Sequence, residues 1–152
     1  MRHVWIFQLA SAPTDSQKSL ILPQLEAFVA VWKAHGAPVP GEVSLRHERF
    51  VVVQAEPGHA SGCSIDSMNK GVNDILANAG IEVLGPERVF FREGDGSIAH
   101  IDFKEAKSAI LAGRLSANST VFDSTLGNTN ELDRWETTLE KTWLGRFLPQ
   151  KA

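Results

Sequence analysis

A chain of 152 residues, 43% hydrophobic and 22% charged, has the balance of a folded protein with room for one domain or two small ones. Fifteen lysines and arginines against eighteen acidic residues leave a net charge of −3, which argues against a dedicated duplex-DNA binder and its basic face. A single cysteine excludes an internal disulfide framework and any multi-cysteine zinc site.

No apolar run approaches the roughly 20 residues needed to span a bilayer. The opening Met1-Arg2-His3-Val4-Trp5-Ile6-Phe7 is too short and too soon interrupted for a signal peptide. A cytoplasmic protein is expected. No low-complexity stretch or internal repeat breaks the chain, so residues 1–152 are read as a single α+β domain with subregions 1–92 and 93–152.

Residues 3–9 alternate Trp5, Phe7 and Leu9 with Val4 and Ile6, which predicts a central strand apolar on both faces. Thr14 and Gln17 have capping-box spacing for a helix start. Ile21, Leu25, Phe28, Val29 and Trp32 then form one stripe of a helix ending near His35-Gly36. Pro23 interrupts the stripe, so the helix either kinks there or begins there. Glu42–His47 and Phe50–Val53, separated by a polar corner, predict a hairpin. Ile65, Met68, Val72, Ile75, Leu76 and Ala79 mark a second helix, with Gly80 placed to close it in a left-handed conformation. Val89-Phe90-Phe91 is the next strand. The order strand, helix, strand, strand, helix, strand is that of a ferredoxin-like split βαβ sheet, with both long helices on one face.

Gly94-Asp95-Gly96 predicts a hairpin joining 88–92 to 97–101. Asp102 and Glu105 have capping-box spacing for a short helix through Leu111, stopped by Gly113. Thr120–Asp123 is a brief strand. Asn128 and Glu131 are placed to open a last helix, with Leu132, Trp135, Leu139, Trp143 and Phe147 on one buried face. This hairpin, the helices and the short strand are expected to pack on the split sheet as a C-terminal extension.

The segment with most chemical character is His59-Ala60-Ser61-Gly62-Cys63-Ser64-Ile65-Asp66. It joins an apolar strand to a helix read as starting near Ser64 or Ile65, so free N–H groups would point at Cys63 or at an anion beside it. Such a position favours the thiolate, Gly62 permits close approach, and His59 is near enough in sequence to act as a base. Asp66, read as lying in the first turn, would oppose a thiolate. The competing reading makes Ser64 or Asp66 the helix cap and Cys63 a small, inert, buried hydrophobe. A second cluster, Arg46 and Arg49 around His47 and Glu48, with Arg88 and Arg92 on a later strand, suits a carboxylate or phosphate if the sheet gathers them. Otherwise these charges are a solvated edge that discourages sheet pairing.

The five histidines show no paired ligand spacing, and the phosphate loop of common ATPases, the nucleophile elbow and the dinucleotide fingerprint are absent. No cofactor is expected. Trp5, Trp32, Trp135 and Trp143 each fall on an apolar stripe, where burial is the default; any one left exposed would mark a binding groove.

Trp5, Phe28, Trp32-Lys33-Ala34-His35-Gly36, Arg49-Phe50, Ser61-Gly62-Cys63-Ser64-Ile65-Asp66-Ser67, Val121-Phe122-Asp123, Trp135 and Trp143 together resemble a group of short uncharacterised bacterial proteins. The likeness spans nearly the whole chain, and Gly-Cys-Ser-Ile-Asp is its most specific string. Members often carry the automatic name "ABC transporter ATPase", which the missing phosphate loop and the missing Leu-Ser-Gly-Gly-Gln signature do not support here. The resemblance implies no catalytic residues. Residues 94–138 are also similar in element order to the small GYF-like module, whose aromatic groove accepts proline-rich segments. The Gly-Tyr-Phe trio itself is missing, and the chain has no tyrosine. Two functions are therefore expected. The first is a non-catalytic binding or assembly module taking a peptide or small anionic ligand, as a homodimer and without nucleic acid or membrane. The second is a thiol-dependent or anion-binding site centred on Cys63.

Overall fold

The computed structural model describes residues 2–56, 58–123 and 132–149. They form a mixed α+β protein of antiparallel sheets that groups into two compact units, the first reaching Leu84 and the second beginning at Gly85.

The first unit opens with β1 (His3–Leu9) and α1 (Asp15–Ala30). Thr14 caps α1 as its spacing requires. Its hydroxyl accepts the Gln17 N–H at 3.1 Å, while the Gln17 side chain accepts the Thr14 N–H at 2.9 Å. Pro23 sits inside the helix, which neither begins there nor runs on to His35. Instead β2 (Lys33–Ala34) and β3 (Ala37–Pro38) form a tiny hairpin. His35 and Gly36 turn it with φ of 51° and 80°, the left-handed pair that a two-residue loop demands.

β4 (Gly41–Arg46) and β5 (Phe50–Ala55) are the expected hairpin. α2 (Gly62–Asn78) follows, then β6 (Val83–Leu84). Gly80, at φ 75°, closes α2. The Gly80 N–H bonds the Ala77 carbonyl, the Ile81 N–H bonds the Leu76 carbonyl, and both Ile81 and Leu76 are buried. The sheet order is β4-β5-β1-β6, antiparallel throughout. Phe7 and Leu9 from β1, with Val51, Val53 and Ala55 from β5, share one core with Ile21, Leu25 and Val29 of α1 and Met68, Val72 and Leu76 of α2. Both long helices thus cover one face. Phe50 and Val52, which point the other way, are also fully buried.

The two helices meet closely at Gly71. A Cβ built there would lie 2.2 Å from Cζ of Phe28. Alanine in place of glycine normally stabilises a helix interior by about 1 kcal/mol, and here the Phe28 ring has to leave its place. Gly71→Ala is therefore expected to lower stability by roughly 1–3 kcal/mol, and adding Phe28→Leu should restore part of the loss in chemical denaturation.

The second unit carries β7 (Arg88–Arg92), β8 (Ile98–Asp102), α3 (Ala106–Leu111), β9 (Thr120–Phe122) and β10 (Glu136–Thr138) in the order β10-β9-β7-β8. Strand 88–92, expected to complete the first sheet, belongs to this one; β6 takes its place beside β1. The β7–β8 hairpin forms as expected. The Asp95 carboxylate accepts the Ser97 hydroxyl at 2.6 Å, which holds it below the ordinary carboxylate value. Asp102 caps a 3-10 turn over Phe103–Glu105 by accepting the Lys104 N–H, and Gly113, at φ 81°, follows α3.

The last expected helix is the main correction. Asn128 and Glu131 lie outside the described residues. Beyond them, Glu136–Thr138 pairs with β9, and two 3-10 turns cover Leu139–Lys141 and Trp143–Phe147. Trp135, Leu139 and Leu144 are buried, but Trp143 is 43% exposed. Among the described residues, no helix is long and apolar enough to cross a membrane.

Candidate functional site

The helix α2 start differs from its sequence reading. Ser61, not Ser64 or Asp66, is the cap: its backbone is extended and its hydroxyl accepts the Ser64 N–H at 3.3 Å. The Ser64 hydroxyl accepts the Ser61 N–H at 2.7 Å, and Ser64 is itself buried. A buried bond from Trp32 Nε1 to the Ser64 carbonyl at 2.9 Å ties this first turn to the end of α1. The Trp32 indole lies edge-on to Trp5 with ring centres 5.6 Å apart.

Gly62 and Cys63 are thus the first two helical residues, and Cys63 is exposed, not a buried hydrophobe. Asp66 is the fifth helical residue, beyond the first turn, and points into solvent. His59 is exposed as well, and among the described residues no hydrogen bond joins it to Cys63. The Ser61–Ser64 box already engages the Ser64 N–H, one of the first-turn donors an anion here would use. Gly62 has open space beside its Cα.

The arginine candidates fall in two units, Arg46 and Arg49 in the first and Arg88 and Arg92 in the second. Arg46 and Arg49 flank a turn in which His47 and Glu48 take φ of 55° and 61°, at the start of β5. The Cys63 loop follows the end of β5, six strand residues away, or about 20 Å. Arg46 Nε reaches the Ser44 hydroxyl, and Arg49 donates to the Ala10 carbonyl at 3.1 Å. Partial burial draws the Arg49 guanidinium below its ordinary value. Lys18 engages Glu48, and this bond raises the Lys18 ammonium above its ordinary value. Arg88 and Arg92 stand on β7 in the other sheet, where Arg92 is bound to Glu136 at 2.6 Å. No group of three or more His, Cys, Asp and Glu side chains is placed to hold a metal among the described residues.

A groove missed by the sequence reading opens on the second unit. Its volume is about 200 Å³, and Val89, Val121, Phe122 and Leu144 supply apolar surface. Trp143 stands exposed in its wall, with Arg88 and Asp123 among the lining residues. Arg146 covers the aromatic side chains beside it, its guanidinium 5.3 Å from the Trp143 ring centre and 4.9 Å from that of Phe147. The only sequence signal was the number of tryptophans. The helical spacing shared by Trp135 and Trp143 concealed which of those two would stay in solvent.

No protein-family model matches the chain, and no curated protein or solved structure is detectably similar to it.

Proposed function

We propose that the protein is a non-catalytic binding module whose second unit takes an extended peptide segment in the Trp143 groove. The exposed indole carries this reading. A tryptophan 43% exposed over an apolar floor is an unusual surface to leave in water, and its amphipathic ring suits peptide recognition. The groove has an apolar body with two charged side chains, Arg88 and Asp123, available to orient an occupant. The likeness of residues 94–138 to GYF-like modules supports the same class of partner. The test is chemical-shift mapping on the isotope-labelled full chain with ten-residue peptides centred on leucine or phenylalanine. Shifts clustered at residues 86–89, 121–123 and 142–144, and abolished by Trp143→Ala, are the expected result. Peptides that leave all three segments unmoved would sink the reading.

The proposal extends to a ferredoxin-like identity for the first unit, supported by its antiparallel β4-β5-β1-β6 order with helices on one face. It also extends to self-association in the cytoplasm. Leu20 (49% exposed) and Val31 (70%) lie three turns apart on one side at α1, and light scattering on the full chain tests whether they pair two copies.

The Cys63 site is the second reading, favoured by the thiol's exposure on the first turn of α2. One thiol per chain should react with a disulfide reagent in the native state, without denaturant. Cys63→Ala should change stability by no more than about 0.5 kcal/mol, since the side chain leaves no cavity. Native alkylation much faster than a free thiol, abolished by His59→Ala, would place chemistry here; a rate matching a small-molecule thiol would leave the binding module as the function.

A further inference from the structure

We infer that the Trp143 groove selects peptides in which carboxylates flank an apolar residue. The inference rests on the peptide-binding reading and adds the chemistry of the partner. It starts from how the second unit disposes of its arginines. Arg92 is spent on Glu136 at 2.6 Å and Arg114 on Glu93 at 2.8 Å. Each also lies against an aromatic ring, Arg92 over Phe122 and Arg114 over Phe91. These two are structural.

Arg88 and Arg146 differ. Among the described residues, neither forms an ion pair. Arg88 lines the groove, and Arg146 lies exposed over the Trp143 ring that also lines it. Asp102 stands opposite Arg88 in the β7–β8 ladder, but its oxygen accepts the Lys104 N–H. Asp123, the acidic residue of the lining, has interactions of its own. The apolar floor is thus accompanied by two guanidinium groups with free donors, which carboxylates satisfy with short, charge-assisted bonds. An apolar side chain would enter against Val89, Phe122 and Leu144, and acidic residues on either side of it would reach Arg88 and Arg146.

The experiment uses the full chain and three fluorescein-labelled peptides that share a central leucine and differ only in flanking glutamate, glutamine or lysine. Two partly exposed charge pairs are together expected to give the glutamate peptide about a tenfold advantage over the glutamine peptide at low salt. The advantage should shrink in 0.5 M salt, where exposed charges are screened. Arg88→Gln and Arg146→Gln should each shrink the ratio of glutamate-peptide to glutamine-peptide affinity, and a ratio that neither variant moves would overturn the inference. Equal binding of the glutamate and glutamine peptides, abolished by Trp143→Ala, would overturn this inference and leave the peptide-binding reading standing. Tighter binding of the lysine peptide would also overturn it, making Asp123 the selector. Absence of binding by all three peptides would overturn both readings. A dimer that Trp143→Ala dissolves would assign the groove to a second copy of the chain and overturn the inference as well.

Discussion

Removing residues 134–152 is expected to unfold the second unit. The deletion takes away β10, which forms one edge of the four-stranded sheet, together with Trp135 (2% exposed), Leu139 and Leu144. The Phe122 ring, edge-on to Trp135 at 5.3 Å, loses its cover, and Leu139 and Leu144 leave the core they share with Val89, Phe91 and Val121. Each large side chain lost from a packed core costs about 2–5 kcal/mol, so three of them approach the entire stability of an ordinary small domain. β9 would then present an open edge prone to pairing with other chains. The expected observation is a lost cooperative melt for this unit with strong binding of a hydrophobic dye. A truncated chain that keeps the full-length melting profile would show that these residues are dispensable. Trp143→Ala, in contrast, should barely move the melt, because that ring already faces water.

Trp32→Ala is expected to cost about 3–5 kcal/mol and to loosen the start of α2. Trp32 is 5% exposed and does two things at once. Its ring fills the space between Trp5 and the Gly41 backbone, and its indole N–H holds the Ser64 carbonyl. Trp32→Phe separates these roles. It keeps most of the packing and removes a buried hydrogen bond, so a smaller loss of about 1–2 kcal/mol is expected. Hydrogen exchange should rise at residues 62–66 in both variants. Unchanged protection of that turn would show that the Ser61–Ser64 cap holds α2 without help from Trp32. The consequence reaches the Cys63 site, since a frayed first turn would no longer hold the thiol in a fixed position.

Much of the first unit is legible in its residues because the relevant interactions are local. Thr14 and Gln17 are three positions apart and cap α1 with their own side chains and backbone. Gly80 ends α2 because glycine enters the left-handed region without steric cost. β1 reads as a strand covered on both sides because both of its faces are apolar, and Phe50–Val53 of β5 as an almost wholly apolar strand. The turn at Gly94-Asp95-Gly96 needs nothing beyond its own residues.

Tertiary structure decided what no window of sequence contains. Trp135, Leu139, Trp143 and Phe147 keep a helical spacing, yet Glu136–Thr138 spends its backbone hydrogen bonds on β9, whose partners lie sixteen or so positions earlier in the chain. That choice buries Trp135, breaks the helical stripe into 3-10 turns and leaves Trp143 in solvent. The same logic moved strand 88–92 out of the first sheet. Its residues encode a strand, but sheet membership depends on which edge is free, and β6 had filled the place beside β1. The candidate sites divide in the same way. The composition of the Cys63 loop is written in consecutive residues, while its capping by Ser61 and its anchoring by Trp32 are not apparent from them. The Trp143 groove draws on segments near residues 88, 122 and 143, and only folding brings them onto one surface.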